Sequence, residues 1–190
     1  MLFRSAYTLR AYFAFKRDLP FGWVRTMRGS GDPRYLRHGA PAAWSQWTRF
    51  ATPRAVLATV PSQVHSGMFR LSADAESGDT YAARIDRASV RPGTNFYDTD
   101  GHVLVVFAVD AGGEVRFIDG HPDGSITRKR LDRSFVAGSM RWGGGFRNWR
   151  PQRLVDGVVV RARNDELRDH DPQTQYDRAA YLVEIGRAHV

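Results

Sequence analysis

The chain contains no cysteine. Disulfides, thiolate-ligated metal sites and a thiol nucleophile within these residues are therefore excluded. It has no apolar run near the roughly 18 residues that a membrane-spanning helix needs, and it does not open with the basic stretch and apolar core of a signal peptide. Lysine is scarce, so arginine carries almost all of the positive charge behind a formal net charge of +8. The arginines are scattered, which fits a solvated basic surface, while the sign of the charge suits anionic partners such as nucleic acid, lipid headgroups or acidic cell-wall polymer. No internal repeat, low-complexity tract or linker divides the chain.

What is present points to one globular domain: 190 residues, 42% of them hydrophobic and 12% aromatic, are enough to bury a sizeable core. The two ends read differently from the rest. Residues Leu2 to Ser5 (LFRS) and Ile185 to Val190 (IGRAHV) resemble translations of a common sequencing adapter and its complement. The natural segment is thus expected to be a single α+β domain over residues 6–184, with its true start upstream of residues 1–5 and with 185–190 non-native.

Along the chain, Leu9, Tyr12 and Phe13 at i, i+3 and i+4, widened by Tyr7, Ala11, Ala14 and Phe15, predict a largely buried helix over Ala6 to Lys16. Pro20 and Gly22 end it. Trp23 to Trp47, rich in Gly, Pro, Arg and aromatics without a period, predicts an ordered irregular loop. Ser45 to Val64 predicts a helix interrupted by Pro53 and Pro61. Strands are predicted over Asp79 to Ile85 and, after a turn at Arg91 to Gly93, over Thr94 to Tyr97. The clearest pair follows: His102 to Asp110, β-branched and apolar almost throughout, then a glycine turn and the alternating Glu114 to Asp119. Ser125 to Leu131 adds a strand, Gly138 to Pro151 reads as a glycine- and tryptophan-bearing loop, Leu154 to Arg161 as a short strand, and Gln173 to Glu184 as a closing helix.

His102 opens the buried strand directly after Gly101. An imidazole at a strand end is held by a rigid sheet yet open to a cleft, which suits a general base. Asp119 and His121 end the partner strand, and the hairpin brings them near His102, where an acceptor can orient the ring. Two other readings stand beside this one. His102 can be an ordinary turn histidine bonded to Asp98 or Asp100, and His102, Asp119, His121 and Asp123 together can be ligands for zinc or iron.

Val90 to Val106 (VRPGTNFYDTDGHVLVV) supplies a Pro-Gly turn, a strand and a Gly-His-Val that leads an aliphatic strand, and Arg116 to Gly120 (RFIDG) supplies a partner strand ending in a polar residue. With a preceding helix and Leu19-Pro20, this order resembles the NlpC/P60 cell-wall peptidase group of the papain-like fold. Pro92-Gly93-Thr94 stands where that family usually has Pro-Gly-Asp. The resemblance implies an N-terminal helix packed on a mostly antiparallel β-sheet, with His102 as base and Asp119, or less readily His121, as the residue that orients it. It places the nucleophilic cysteine at about Arg4 or slightly upstream. It further implies a cofactor-free hydrolase of an amide bond in a cell-wall or related peptide, periplasmic or extracellular, and inactive in this form because the thiol is absent. Ser5 is a substitute nucleophile in position only.

A reading from a different class is a non-catalytic module that binds an anionic polymer. Trp142, Phe146 and Trp149 interleave with Arg141, Arg147 and Arg150, a pattern suited to stacking and charge pairing. Packing of a long aromatic loop explains the same pattern. Gly143 to Gly145 lacks the Lys-Ser/Thr of a phosphate loop and is expected to shape a loop edge.

Overall fold

The computed structural model describes residues 4–28, 40–47, 52–121, 123–135, 138–177 and 180. Helix α1 runs Ser5–Lys16 and buries Ala6, Tyr7, Ala11 and Ala14. The buried stripe is therefore not the predicted one, because Leu9, Tyr12 and Phe13 lie on the exposed side. The physical reason is close approach: alanines let α1 pack against helix α2 (Pro53–Gln63), and the Tyr7 hydroxyl can be buried because it donates to Asp79 at 2.8 Å.

Helix α2 starts eight residues later than predicted. Pro53 sits in its first turn, where the missing N–H costs nothing, and Thr52 caps it by accepting from the Ala55 N–H at 3.2 Å. Ser45 to Trp47 belong to a strand instead. Strands β1 (Phe21–Arg28) and β2 (Ala40–Trp47) form an antiparallel hairpin where the sequence suggested an irregular loop. Register shifts around Val24, Thr26 and Met27 break the alternation that would have marked β1 as a strand. Tyr35, also placed in that loop, lies outside the described residues.

The main sheet has six strands, β3 (Thr80–Ala82), β4 (Asn95–Asp98), β5 (His102–Val109), β6 (Val115–Gly120), β7 (Ile126–Arg130) and β8 (Gly145–Trp149). All neighbours are antiparallel, in the order β3-β8-β4-β5-β6-β7. The predicted β5–β6 hairpin is there, and β7 extends it. Strand β8 corrects the prediction of a loop over 138–151. An arginine inside a central strand hides the strand signal, and Arg147 is tolerated there because its guanidinium donates to Thr80 Oγ1 at 3.0 Å and the Gly143 carbonyl at 2.9 Å.

Strands β9 (Gln152–Val155) and β10 (Val158–Arg161) form a second hairpin in place of one predicted strand. Asp156 and Gly157 between them both have positive φ, as a two-residue hairpin turn requires. Glutamine side chains tie this hairpin to the first: the Gln152 amide accepts from the Gly22 N–H and donates to its carbonyl, and the Gln46 amide does the same for Val159 and Gly157. Helix α3 is described over Pro172–Tyr176; most of the predicted helix beyond it lies outside the described residues.

The two faces of the six-stranded sheet carry different cores. Helices α1 and α2, the β1–β2 hairpin and the 3₁₀ turn Ser66–Phe69 cover one face, against Tyr97, Val103 and Val105. Phe96, Leu104, Val106, Phe117 and Phe146 form the other core, closed by Val90, Leu131 and Phe135 from connecting segments. The described architecture is thus α+β with mostly antiparallel sheet. No helix among the described residues is long and apolar enough to cross a membrane.

Candidate functional site

The turn before β5 is built by Asp98, whose carboxylate accepts from the Asp100 N–H at 3.0 Å while its carbonyl accepts from the Gly101 N–H at 2.9 Å. Gly101 closes the turn with φ of 95°. Asp98 stands opposite His102 in the β4–β5 register. Strand alternation then sends His102 to the same face as Leu104 and Val106, and Val115, Phe117 and Asp119 line up on that face from β6. There His102 Nε2 meets Asp119 Oδ1. The aspartate bonded to His102 is therefore Asp119, brought close by the hairpin. Asp119 thus engages the ring through Nε2.

The Asp119 side chain is completely enclosed, while the imidazole keeps 25% of its surface exposed. Buried carboxylates need compensation, and three groups surround this one. His102 holds Oδ1, Lys129 Nζ lies 2.8 Å from Oδ2, and His121 Nε2 lies 3.5 Å from Oδ2. The lysine approaches Oδ2 as an ion pair rather than along a hydrogen-bond direction, and Oδ2 accepts no hydrogen bond among the described residues. His121 is anchored on the other side by Thr127 Oγ1 at 3.0 Å, and its ring lies 5.8 Å from that of His102.

In front of His102 is a cleft of about 470 Å³. Phe96, Leu104 and Phe135 contribute apolar lining, and Lys129 and Ser134 line it beside His102. Ser134 is committed to its own turn, with its hydroxyl donating to Asp132 Oδ1 at 2.5 Å.

Of the residues singled out from sequence, the fold gathers His102, Asp119 and His121. Asp123 is directed elsewhere: its carboxylate accepts from the N–H and hydroxyl of Ser125, bonds that hold its pKa below the ordinary value. No group of three His, Cys, Asp or Glu with metal-ligand geometry occurs among the described residues, and the Lys129 ammonium occupies the side of Asp119 that a cation would need. Lys129 and Thr127 carried no signal in the sequence, because their place beside Asp119 depends on the β6–β7 register that sets Thr127 opposite Asp119.

Tyr7 packs edge-on against Trp149 at 4.8 Å and against Phe69 at 5.6 Å, on the face of Tyr97 and Val103. Trp149 pairs with Thr80 at the end of β8 remote from Gly145, the residue opposite Tyr97 next to the His102 turn. The buried face of α1 therefore packs on the Tyr97 side of the sheet.

The arginines proposed to interleave with aromatics divide in the structure. Arg147 and Arg150 are buried, and burial lowers both pKa values, that of Arg150 to about 10. Arg150 serves the Ala162 and Ala75 carbonyls and Asn164. Arg70 and Arg141 stack on Trp142 at 4.5 and 4.6 Å. Strand β7 is an exposed basic element: its five residues, including Arg128, Lys129 and Arg130, are all exposed, with Lys129 paired to Asp119 and Arg130 to Glu114.

No known protein family, curated protein or solved structure matches the chain.

Proposed function

We propose that the His102–Asp119 pair is the general base of a papain-like hydrolase acting on an amide bond, with Asp119 orienting the ring and His102 Nδ1 taking the proton of the nucleophile. The observation that carries this reading is the asymmetry of the pair. Its acid is completely enclosed and its imidazole lines a cleft of mixed apolar and charged character, the arrangement that keeps a base accessible while its orienting group stays out of solvent.

In a cysteine-type mechanism the thiol is supplied by a residue that this chain lacks. Such a nucleophile has to reach His102 at the Asp98 end of β4, on the side of Leu104. A lining that combines Phe96, Leu104 and Phe135 with charges of both signs, Lys129 and Arg130 beside Asp98 and Asp132, suits a peptide with both apolar and charged parts, as in a cell-wall peptide.

The test is an N-terminally extended form with its own upstream residues and a cysteine, assayed on peptidoglycan peptides and small amides beside its His102→Ala variant. Hydrolysis that disappears in the variant is expected. No hydrolysis of either substrate class, or an unaffected variant, ends the proposal.

A second reading is favoured by the exposure of β7. A basic edge strand suits a module that binds an anionic polymer. Binding that weakens steeply between low and physiological salt, in a protein without hydrolytic activity, selects this reading.

A further inference from the structure

Asp119 Oδ1 touches His102, but a carboxylate can rotate about its Cβ–Cγ bond, so this contact alone does not fix the plane of the group. Something must hold Oδ2. It accepts no hydrogen bond among the described residues, and it is approached by two groups, Lys129 Nζ at 2.8 Å and His121 Nε2 at 3.5 Å. His121 Nε2 is also engaged by Thr127 Oγ1, which leaves the ammonium as the nearer group. Lys129 lies opposite Phe117, two residues along β7 from Thr127, which faces Asp119. Its reach to Asp119 is therefore the diagonal of a cross-strand pair, a span that a long side chain covers.

We propose that Lys129 is a positioning residue for His102, acting through Asp119: the ammonium holds one carboxylate oxygen, which fixes the plane of the carboxylate and so keeps its other oxygen on His102 Nε2. The inference rests on the base reading for its functional meaning, but the geometry it describes is measurable without any reaction. It also gives the exposed β7 strand a role in the site, since an edge strand supplies one of the groups that set the imidazole.

The experiment is proton and nitrogen NMR of the ¹⁵N-labelled full chain, following the His102 Nε2–H resonance, assigned by its absence in His102→Gln. A hydrogen bond to a carboxylate moves this proton to low field and protects it from exchange with water. Wild type and Lys129→Arg are expected to share the resonance. Lys129→Met and Lys129→Gln are expected to lose it or to exchange at least about tenfold faster, the loss of a charge-supported hydrogen bond. Lys129 has 44% of its side chain exposed on an edge strand, so these variants should fold, and far-UV circular dichroism checks that they do. The proposal is overturned by an unchanged resonance in Lys129→Met, by Lys129→Arg behaving like Lys129→Met, or by no low-field resonance in wild type. A chain that shows the Lys129→Met effect but hydrolyses nothing leaves this inference standing and removes the hydrolase reading.

Discussion

Asp119 stands behind His102 with its carboxylate fully enclosed, and His102 is the hydrogen-bond partner of its Oδ1. The strength of that relationship can be read from stability alone. His102→Phe keeps a ring in place but strands a buried carboxylate oxygen, and it should cost about 1.5–3 kcal/mol in urea unfolding. His102→Gln retains a donor and should cost less. Equal losses in the two variants would mean that the ring's packing, and not its hydrogen bond, is what the fold needs.

Arg147 should behave as a structural residue. Its fork serves Thr80 Oγ1, the Thr80 carbonyl and the Gly143 carbonyl from inside the sheet. A lysine has one ammonium and cannot span these acceptors. Arg147→Lys is expected to lose at least about 2 kcal/mol of stability, with no weakening of anionic polymer binding per folded molecule. Binding that falls in the folded variant would return Arg147 to the ligand surface.

Asp79 should tie stability to pH. Burial raises its pKa above the ordinary 3.8, against the opposing effects of Arg161, the Val24 N–H and the Tyr7 hydroxyl. The folded chain then holds this proton more tightly than the unfolded chain. The associated stability is complete below the unfolded value and is lost as pH rises through the higher folded value. Asp79→Asn removes that slope, so from about pH 4 upward wild type should lose stability relative to the variant. Parallel pH profiles for the two proteins would show that Asp79 does not titrate in this way.

Gly143 should tolerate no side chain. Its φ is +67°, and a Cβ there would lie 2.0 Å from the Leu71 carbonyl oxygen, a backbone atom that cannot swing aside. Gly143→Ala is expected to cost more than about 1 kcal/mol and to lower Tm by at least about 2–4 °C in calorimetry. An unchanged Tm would mean that the Leu71 segment moves freely.

The β5–β6 hairpin was legible because its signals are local. His102 to Val109 is apolar nearly throughout, Val115 to Gly120 alternates, and a glycine turn joins them. The same locality made His102 and Asp119 a candidate pair. Strand β8 was not legible, since its central residue is an arginine whose burial depends on Thr80 and Gly143 being brought to it. Nor was the buried face of α1: the larger Leu9, Tyr12 and Phe13 mark one side, and the Tyr7–Ala11–Ala14 side is buried only because Asp79 is available for Tyr7 and α2 for the alanines.

The sequence by itself determined the absence of a thiol, the α+β pattern and the strand ends on which an imidazole and a carboxylate meet, because composition and period-two alternation act over a few residues. It is the tertiary structure that makes Lys129 join Asp119, turns Arg147 and Arg150 inward, and buries the Tyr7–Ala11–Ala14 side of α1 in place of the Leu9–Tyr12–Phe13 side. Those are matters of register and of which face an element presents, and both are set by contacts between residues distant in the chain.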